Sequence, residues 1–201
     1  MNDRNGAKGA VSVAIDPALN SEAQLLSVRI EGALSKPAVV MITSASAGDG
    51  KSVTAHLLAG SLEKCNHRVS LMEISNGNDT PREQLSTLVE EMRSNYDFAI
   101  IDAATFPKNS TVLSLARLVD GIVVAVRMGR APTADDECMV RILEQVGGNV
   151  VGVVATEADA IATFERARGE KPADTRLQPR RSGGPSPAHG LTVIATERMS
   201  R

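Results

Sequence analysis

The sequence predicts a doubly wound α/β domain with a mostly parallel sheet. Five short aliphatic runs alternate along the chain with longer segments whose apolar residues recur at helical spacing. The runs are almost continuously apolar, as strands buried on both faces require, and repeated strand-helix alternation favours a parallel sheet. Since the 201 residues are 42% hydrophobic and only 2% aromatic, the core must be aliphatic. This length fits one domain with tails.

The first predicted element is a helix that opens at Ser21 and ends before Pro37, with apolar residues at helical spacing at Ala23, Leu26, Ile30 and Leu34. The five predicted strands are Ala38 to Ile42, Val69 to Met72, Phe98 to Ile101, Gly121 to Val126 and Val150 to Val154. The helices between them are predicted over Lys51 to Lys64, Thr80 to Arg93, Ser110 to Leu118 and Thr133 to Val146.

Local signals set some of these boundaries. Thr80 is predicted to cap the second of the inter-strand helices, with Pro81 at its first helical position. The pair Gly147-Gly148 is predicted to stop the last one. A further helix over Ala158 to Arg168 and a late edge strand within Leu191 to Thr196 are weaker expectations.

The two ends of the chain differ in composition from the middle. Residues 1–20 lack periodicity and are predicted to form a disordered arm, and residues 169–201 to form a mostly disordered basic tail. From Arg166 to Arg201 the chain has eight basic and three acidic residues. Residues 21–168 are therefore the predicted folded domain.

Composition excludes several classes of function. With 22 basic and 24 acidic residues the net charge is -2, which gives no general attraction to nucleic acid. The two cysteines, Cys65 and Cys138, are too far apart in sequence to suggest a zinc site or a disulfide framework. No apolar run has the length of a membrane span, so the sequence predicts a cytoplasmic protein. The balanced charge predicts that this protein binds no nucleic acid.

The most specific motif is the run Gly48-Asp49-Gly50-Lys51-Ser52, which follows the first strand and opens the next helix. A glycine turn at a helix N-terminus can wrap its N–H groups around phosphate, with Lys51 neutralising the β- and γ-phosphates and Ser52 ligating Mg²⁺. The full GxxxxGK[ST] pattern has glycine where this chain has Ala45. The sequence predicts a P-loop NTPase that binds ATP and Mg²⁺.

A second motif supports the first. The segment Tyr96-Asp97-Phe98-Ala99-Ile100-Ile101-Asp102 is an apolar strand that ends on a carboxylate. An aspartate in this position of a P-loop protein holds Mg²⁺, directly or through water. Without the loop it could equally be a turn cap.

These motifs, in this order, resemble the cytoplasmic domain of bacterial tyrosine kinases of capsular and exopolysaccharide synthesis, relatives of the MinD and ParA ATPases. The resemblance covers residues 20–156 and includes Arg68-Val69-Ser70-Leu71-Met72-Glu73 and Val119-Asp120-Gly121-Ile122-Val123-Val124. It implies an ATP-binding protein, active as a protein-tyrosine kinase or an ATPase, that works with a membrane-embedded polysaccharide chain-length regulator at the inner membrane. It also implies homo-oligomers.

The resemblance implies the following site. Nucleotide is bound by Gly48, Asp49, Gly50, Lys51, Ser52 and Val53; Mg²⁺ is held by Ser52 and Asp102; and the catalytic residues are Lys51, Glu73 and Asp102.

The chain departs from the family pattern at several points. Glu73 stands where the family has the first aspartate of an Asp-x-Asp pair, and Ala103-Ala104-Thr105 where it commonly has Thr-Pro-Pro. Tyr96 is the sole tyrosine, so no C-terminal tyrosine cluster is present in this sequence.

Two alternatives follow from these departures. One is a catalytically degenerate, nucleotide-dependent binding module. The other is a positioning ATPase of the MinD or ParA type, although the lysine such loops carry five residues before Lys51 is Ser46 here.

Overall fold

A computed structural model of the chain describes residues 17–74, 81–106, 110–129, 133–157 and 192–194. The helices are α1 (Pro17–Ala33), α2 (Lys51–Lys64), α3 (Arg82–Asn95), α4 (Ser110–Ala116) and α5 (Ala134–Gln145). The strands are β1 (Ala38–Thr43), β2 (Val69–Glu73), β3 (Phe98–Asp102), β4 (Gly121–Arg127), β5 (Val150–Thr156) and β6 (Thr192–Ile194).

The strands form one sheet in the order β2-β3-β1-β4-β5-β6. The first five strands are parallel, and β6 pairs antiparallel with β5, with Val154 opposite Val193. The predicted α/β fold with a mostly parallel sheet is confirmed. The late edge strand expected within Leu191 to Thr196 is present as β6.

Helices cover both faces of the sheet, and successive strand residues alternate between the two layers of the core. In β1, Val40 and Ile42 pack with α1 and α2, whereas Val39 and Met41 pack with α3, α4 and α5. Because successive side chains of a strand point to opposite faces, a fully apolar strand is what a doubly covered sheet needs. All six residues of β1 are buried.

Several helix boundaries differ from the prediction. Helix α1 begins at Pro17, within the predicted disordered arm and four residues before Ser21. A proline at the first helical position loses no intrahelical hydrogen bond, because the first N–H groups of a helix have no acceptor.

Helix α3 begins at Arg82 with Pro81 as its N-cap, one position later than predicted. Thr80 and the helix predicted over Ala158 to Arg168 lie outside the described residues. At α5, Thr133 caps the helix through the N–H of Asp136, and Gly147 follows its end with a φ of 91°. None of the helices described here is long and apolar enough to cross a bilayer.

Candidate functional site

The loop between β1 and α2 turns at two glycines. Gly48 has a φ of 78° and Gly50 a φ of 83°, a left-handed conformation that costs most other residues energy. Among the described non-glycine residues, only Asn66 has a positive φ, so Ala45 does not need the freedom of glycine. The departure from the GxxxxGK[ST] pattern at this position therefore causes no backbone strain.

The loop is fixed to the end of β5. The buried Thr156 hydroxyl donates to the Asp49 carbonyl at 2.7 Å. The Asp49 carboxylate, also buried, accepts a hydrogen bond from the Ser46 N–H at 3.1 Å, which links the two sides of the turn. A Cβ atom added to Gly50 would lie 2.8 Å from Cγ2 of Thr156, so the backbone approaches β5 as closely as only glycine permits.

Helix α2 presents its N-terminus to this loop. Gly50 is the N-cap, so no side chain caps the helix, and the first turn has no acidic residue. The first N–H groups of a helix lack intrahelical acceptors and carry partial positive charge. Together with the glycine turn, this geometry suits an anion such as a phosphate group.

The structure brings Ser52 and Asp102 into contact. Ser52 Oγ donates to Oδ2 of Asp102 at 2.5 Å, across 50 positions of sequence. The contact follows from the sheet, because Asp102 pairs with Ile42 at the end of β1 and Ser52 lies in the first turn of α2. A hydroxyl and a carboxylate are hard oxygen donors of the kind that Mg²⁺ prefers.

Glu73 lies at the rim of the same edge. It pairs with Asp102 in the β2–β3 register, and its side chain is exposed. Tyr96, by contrast, lies two residues before the start of β3, whereas Asp102 is the last residue of that strand. The only tyrosine of the chain is therefore separated from Asp102 by six residues of extended backbone, about 20 Å.

Lys51 extends from the first residue of α2 towards the segment after β3. Its Nζ donates to Oγ1 of Thr105 at 3.3 Å. Burial lowers the pKa of Lys51 below its usual 10.5, and the negative charges of Asp102 and Asp49 oppose that shift. The negative charges within the protein thus offset only part of the cost of burying the charged form of Lys51. An additional anion beside the ammonium is therefore favoured.

Asp102 shows the complementary shift. Burial raises the pKa of its carboxyl above 3.8, and the hydrogen bond from Ser52 and the charge of Lys51 oppose that rise. A buried carboxylate whose pKa is raised is incompletely neutralised by its surroundings, so a cation at this position would lower its energy.

The motifs do not identify two residues of the site, Thr105 and Thr156. Thr105 lies in the segment that departs from the Thr-Pro-Pro of the family pattern, and Thr156 is the last residue of β5. Both act through hydrogen bonds that span more than 50 positions of sequence. The sequence signal for each is a hydroxyl residue at or just after the carboxyl end of a buried strand.

Asp97, which precedes β3, and Asp102, the last residue of β3, are expected to have opposite effects on stability as pH falls. The raised pKa of Asp102 means that the folded protein binds a proton more readily than the unfolded chain, so wild type gains stability relative to Asp102→Asn as pH falls from 7 through that pKa towards 3.8. Hydrogen bonds from the backbone and side chain of Arg68 lower the pKa of Asp97.

Wild type is therefore expected to lose its advantage over Asp97→Asn as pH falls below 3.8. Urea unfolding of the three proteins between pH 3 and pH 7 measures both trends. If the difference in free energy of unfolding between wild type and variant changed with pH in the same direction for both variants, the opposite pKa shifts of Asp97 and Asp102 would be contradicted.

No protein-family model matches the sequence, and no curated protein matches it. Solved structures match in fold. The kinase domain of the Escherichia coli tyrosine kinase ETK has a TM-score of 0.62 and 16% identity, covering 82% of this chain and 80% of that one. The MinD cell division protein of Aquifex aeolicus has a TM-score of 0.52 and 15% identity, covering 65% and 73%. The chain has the P-loop fold of bacterial tyrosine kinase domains and MinD.

A third structure of this fold was solved with nucleotide. The cobyrinic acid a,c-diamide synthase of Mycobacterium smegmatis, with a bound ATP analog and magnesium, has a TM-score of 0.50 and 13% identity, covering 61% of this chain and 73% of that one. A kinase, a cell division protein and a synthase thus share this fold with the chain. The fold is compatible with more than one activity, so the residues of the site must decide between them.

Proposed function

We propose that the protein binds Mg-ATP at the β1–α2 loop and transfers the terminal phosphoryl group to a hydroxyl group of another protein. The observation that carries the proposal is the contact of Ser52 with Asp102 beside the ammonium of Lys51, at the N-terminus of α2. A hydroxyl, a carboxylate and a lysine grouped at a helix N-terminus provide the parts that phosphoryl transfer uses.

In this proposal the triphosphate lies on the N–H groups of Gly48 to Val53, and Lys51 neutralises its β- and γ-phosphates. Ser52 and Asp102 hold Mg²⁺. No cluster of three or more His, Cys, Asp or Glu side chains that could hold a metal occurs among the described residues. One hydroxyl and one carboxylate nevertheless fit Mg²⁺, which takes its other ligands from phosphates and water. The ligands of the M. smegmatis synthase support this proposal.

Glu73 is the proposed general base. Its exposed carboxylate lies next to Asp102, where a hydroxyl group of a second protein can approach it from solvent. The hydroxyl oxygen forms a bond to the γ-phosphorus, the bond from that phosphorus to the bridging oxygen of ADP breaks, and Glu73 takes the hydroxyl proton.

The substrate in this proposal is another protein chain. Tyr96 lies at the opposite end of β3 from Asp102, so it cannot enter the site of its own chain. From the resemblance to tyrosine kinases of polysaccharide synthesis, we propose a partner at the inner membrane, a membrane-embedded chain-length regulator or another polysaccharide-assembly protein. The match in fold to ETK, which is a tyrosine kinase, supports this choice of activity.

A second candidate is a nucleotide-dependent binding module without phosphoryl transfer. The residue after Glu73 favours this candidate, because the family motif continues from this position to a second acidic residue. Ile74 instead donates its N–H to the Asp102 carbonyl and packs against the core. A single exposed carboxylate is a weaker arrangement for activating a nucleophile than two acids that share the metal.

Phosphate transfer distinguishes the two candidates. The protein is incubated with Mg²⁺, ATP labelled at the γ-phosphate and a random Glu-Tyr copolymer, and the Glu73→Gln and Glu83→Gln variants are compared. Loss of a general base is expected to slow transfer about 100-fold without changing ATP affinity. Glu83 lies on the exposed face of α3, so its variant should match wild type.

Wild type that binds ATP but labels no copolymer would contradict phosphoryl transfer to tyrosine and favour the binding module. Transfer by Glu73→Gln at the wild-type rate would instead contradict the role given to Glu73.

A further inference from the structure

The hydroxyl group of Thr105 is held in a fixed position beside Lys51. Thr105 follows β3 by three residues and is 5% exposed. Its neighbours on both sides are bonded to the end of β1, since the Ala104 carbonyl accepts from Thr43 Oγ1 at 2.9 Å and the Phe106 N–H donates to the Ser44 carbonyl at 2.9 Å. The segment cannot move away from Lys51 without breaking these bonds.

The direction of the hydrogen bond leaves the hydroxyl proton available. An ammonium group donates only, so Oγ1 of Thr105 is the acceptor in its contact with Lys51. A threonine hydroxyl also has one proton to donate. Within the described residues this proton has no acceptor, although a buried donor gains free energy from having one.

An anion that binds Lys51 would supply that acceptor. The lysine of a phosphate loop reaches the β- and γ-phosphates, and Nζ of Lys51 lies 3.3 Å from Oγ1 of Thr105. A terminal phosphate oxygen bound beside this ammonium would meet the Thr105 hydroxyl as well. A diphosphate has no γ-phosphate to accept from that hydroxyl.

We propose that Thr105 is a specificity-determining residue: its hydroxyl accepts from Lys51 and donates to the terminal phosphate, so the site distinguishes a nucleoside triphosphate from a diphosphate. The proposal rests on the proposed Mg-ATP site and adds a residue to it.

The test compares Thr105→Val, which keeps the shape of the side chain without the hydroxyl, and Thr105→Ser, which keeps the hydroxyl. Thr87→Val, on the exposed face of α3, is the matched control. Affinities for ATP and ADP with Mg²⁺ are measured by calorimetry. The loss of one hydrogen bond to a charged oxygen is expected to reduce ATP affinity about 10-fold and ADP affinity less than about 2-fold in Thr105→Val. Thr105→Ser and the control should keep the wild-type ratio.

Rescue by Thr105→Ser separates this role from a merely structural one, because a loss of packing alone would lower the affinities for ATP and ADP together. If Thr105→Val does not fold, Thr105→Ala replaces it. Equal losses of affinity for ATP and ADP in Thr105→Val would overturn the inference. Failure of wild type to bind ATP would instead overturn the proposed function.

Discussion

Gly50→Ala is expected to destabilise the protein and to abolish measurable ATP binding. Alanine at a φ of 83° costs about 1–2 kcal/mol, and its Cβ would lie 2.8 Å from Cγ2 of Thr156. Either the loop or Thr156 must move, which breaks the 2.7 Å bond from Thr156 to the Asp49 carbonyl. The total cost of about 2–3 kcal/mol corresponds to a fall in melting temperature of roughly 5–10 °C.

The control for this prediction lies in the same helix. Gly60 is inside α2, and a Cβ added there meets no atom within 4 Å. Gly60→Ala should therefore raise the free energy of unfolding by about 0.5–1 kcal/mol and leave ATP affinity unchanged. Thermal melts and calorimetric titrations of both variants make the comparison. A Gly50→Ala protein with wild-type stability and affinity would show that the loop does not have the conformation described above.

Lys51→Met is expected to reduce affinity for Mg-ATP about 100-fold while the protein stays folded. The lysine would make charge-assisted hydrogen bonds to two phosphates, worth about 3 kcal/mol together, and methionine keeps the length of the side chain without its charge. Because burial lowers the pKa of Lys51, its charge does not stabilise the fold, and the variant should melt no lower than wild type.

Lys64→Met is the matched control, since Lys64 lies in the last turn of the same helix and is exposed. It should bind Mg-ATP as wild type does. Equal affinities of Lys51→Met and wild type would mean that the lysine does not contact the phosphates. A loss of affinity accompanied by unfolding would contradict the statement that the charge does not stabilise the protein.

The sequence was sufficient to predict the elements of the domain. Continuous apolar runs such as Gly121 to Val126 predict buried strands when helical segments separate them. The structure has its core strands at the predicted positions. Helix ends were less predictable. Pro17 and Pro81 show why, because a proline is compatible with the N-cap and with the first helical position, and the choice depends on tertiary packing.

The candidate site was predictable only in part. Motif spacing predicted Lys51, Ser52 and Asp102 as site residues, and the parallel register of β1 and β3 brings Ser52 and Asp102 into contact. The roles of Thr105 and Thr156 depend instead on how the chain returns after β3 and on where β5 ends relative to the loop. No local pattern contains that information, since each contact joins segments more than 50 positions apart.

Calorimetric titration of ATP into the full chain, with and without Mg²⁺, is the most direct test of the central claim that the β1–α2 loop binds a nucleotide triphosphate. Saturable binding with one site per chain, strengthened by Mg²⁺ and lost in Gly50→Ala, is the predicted result. A chain that is folded by circular dichroism and gives no heat of binding with ATP or ADP would contradict the claim.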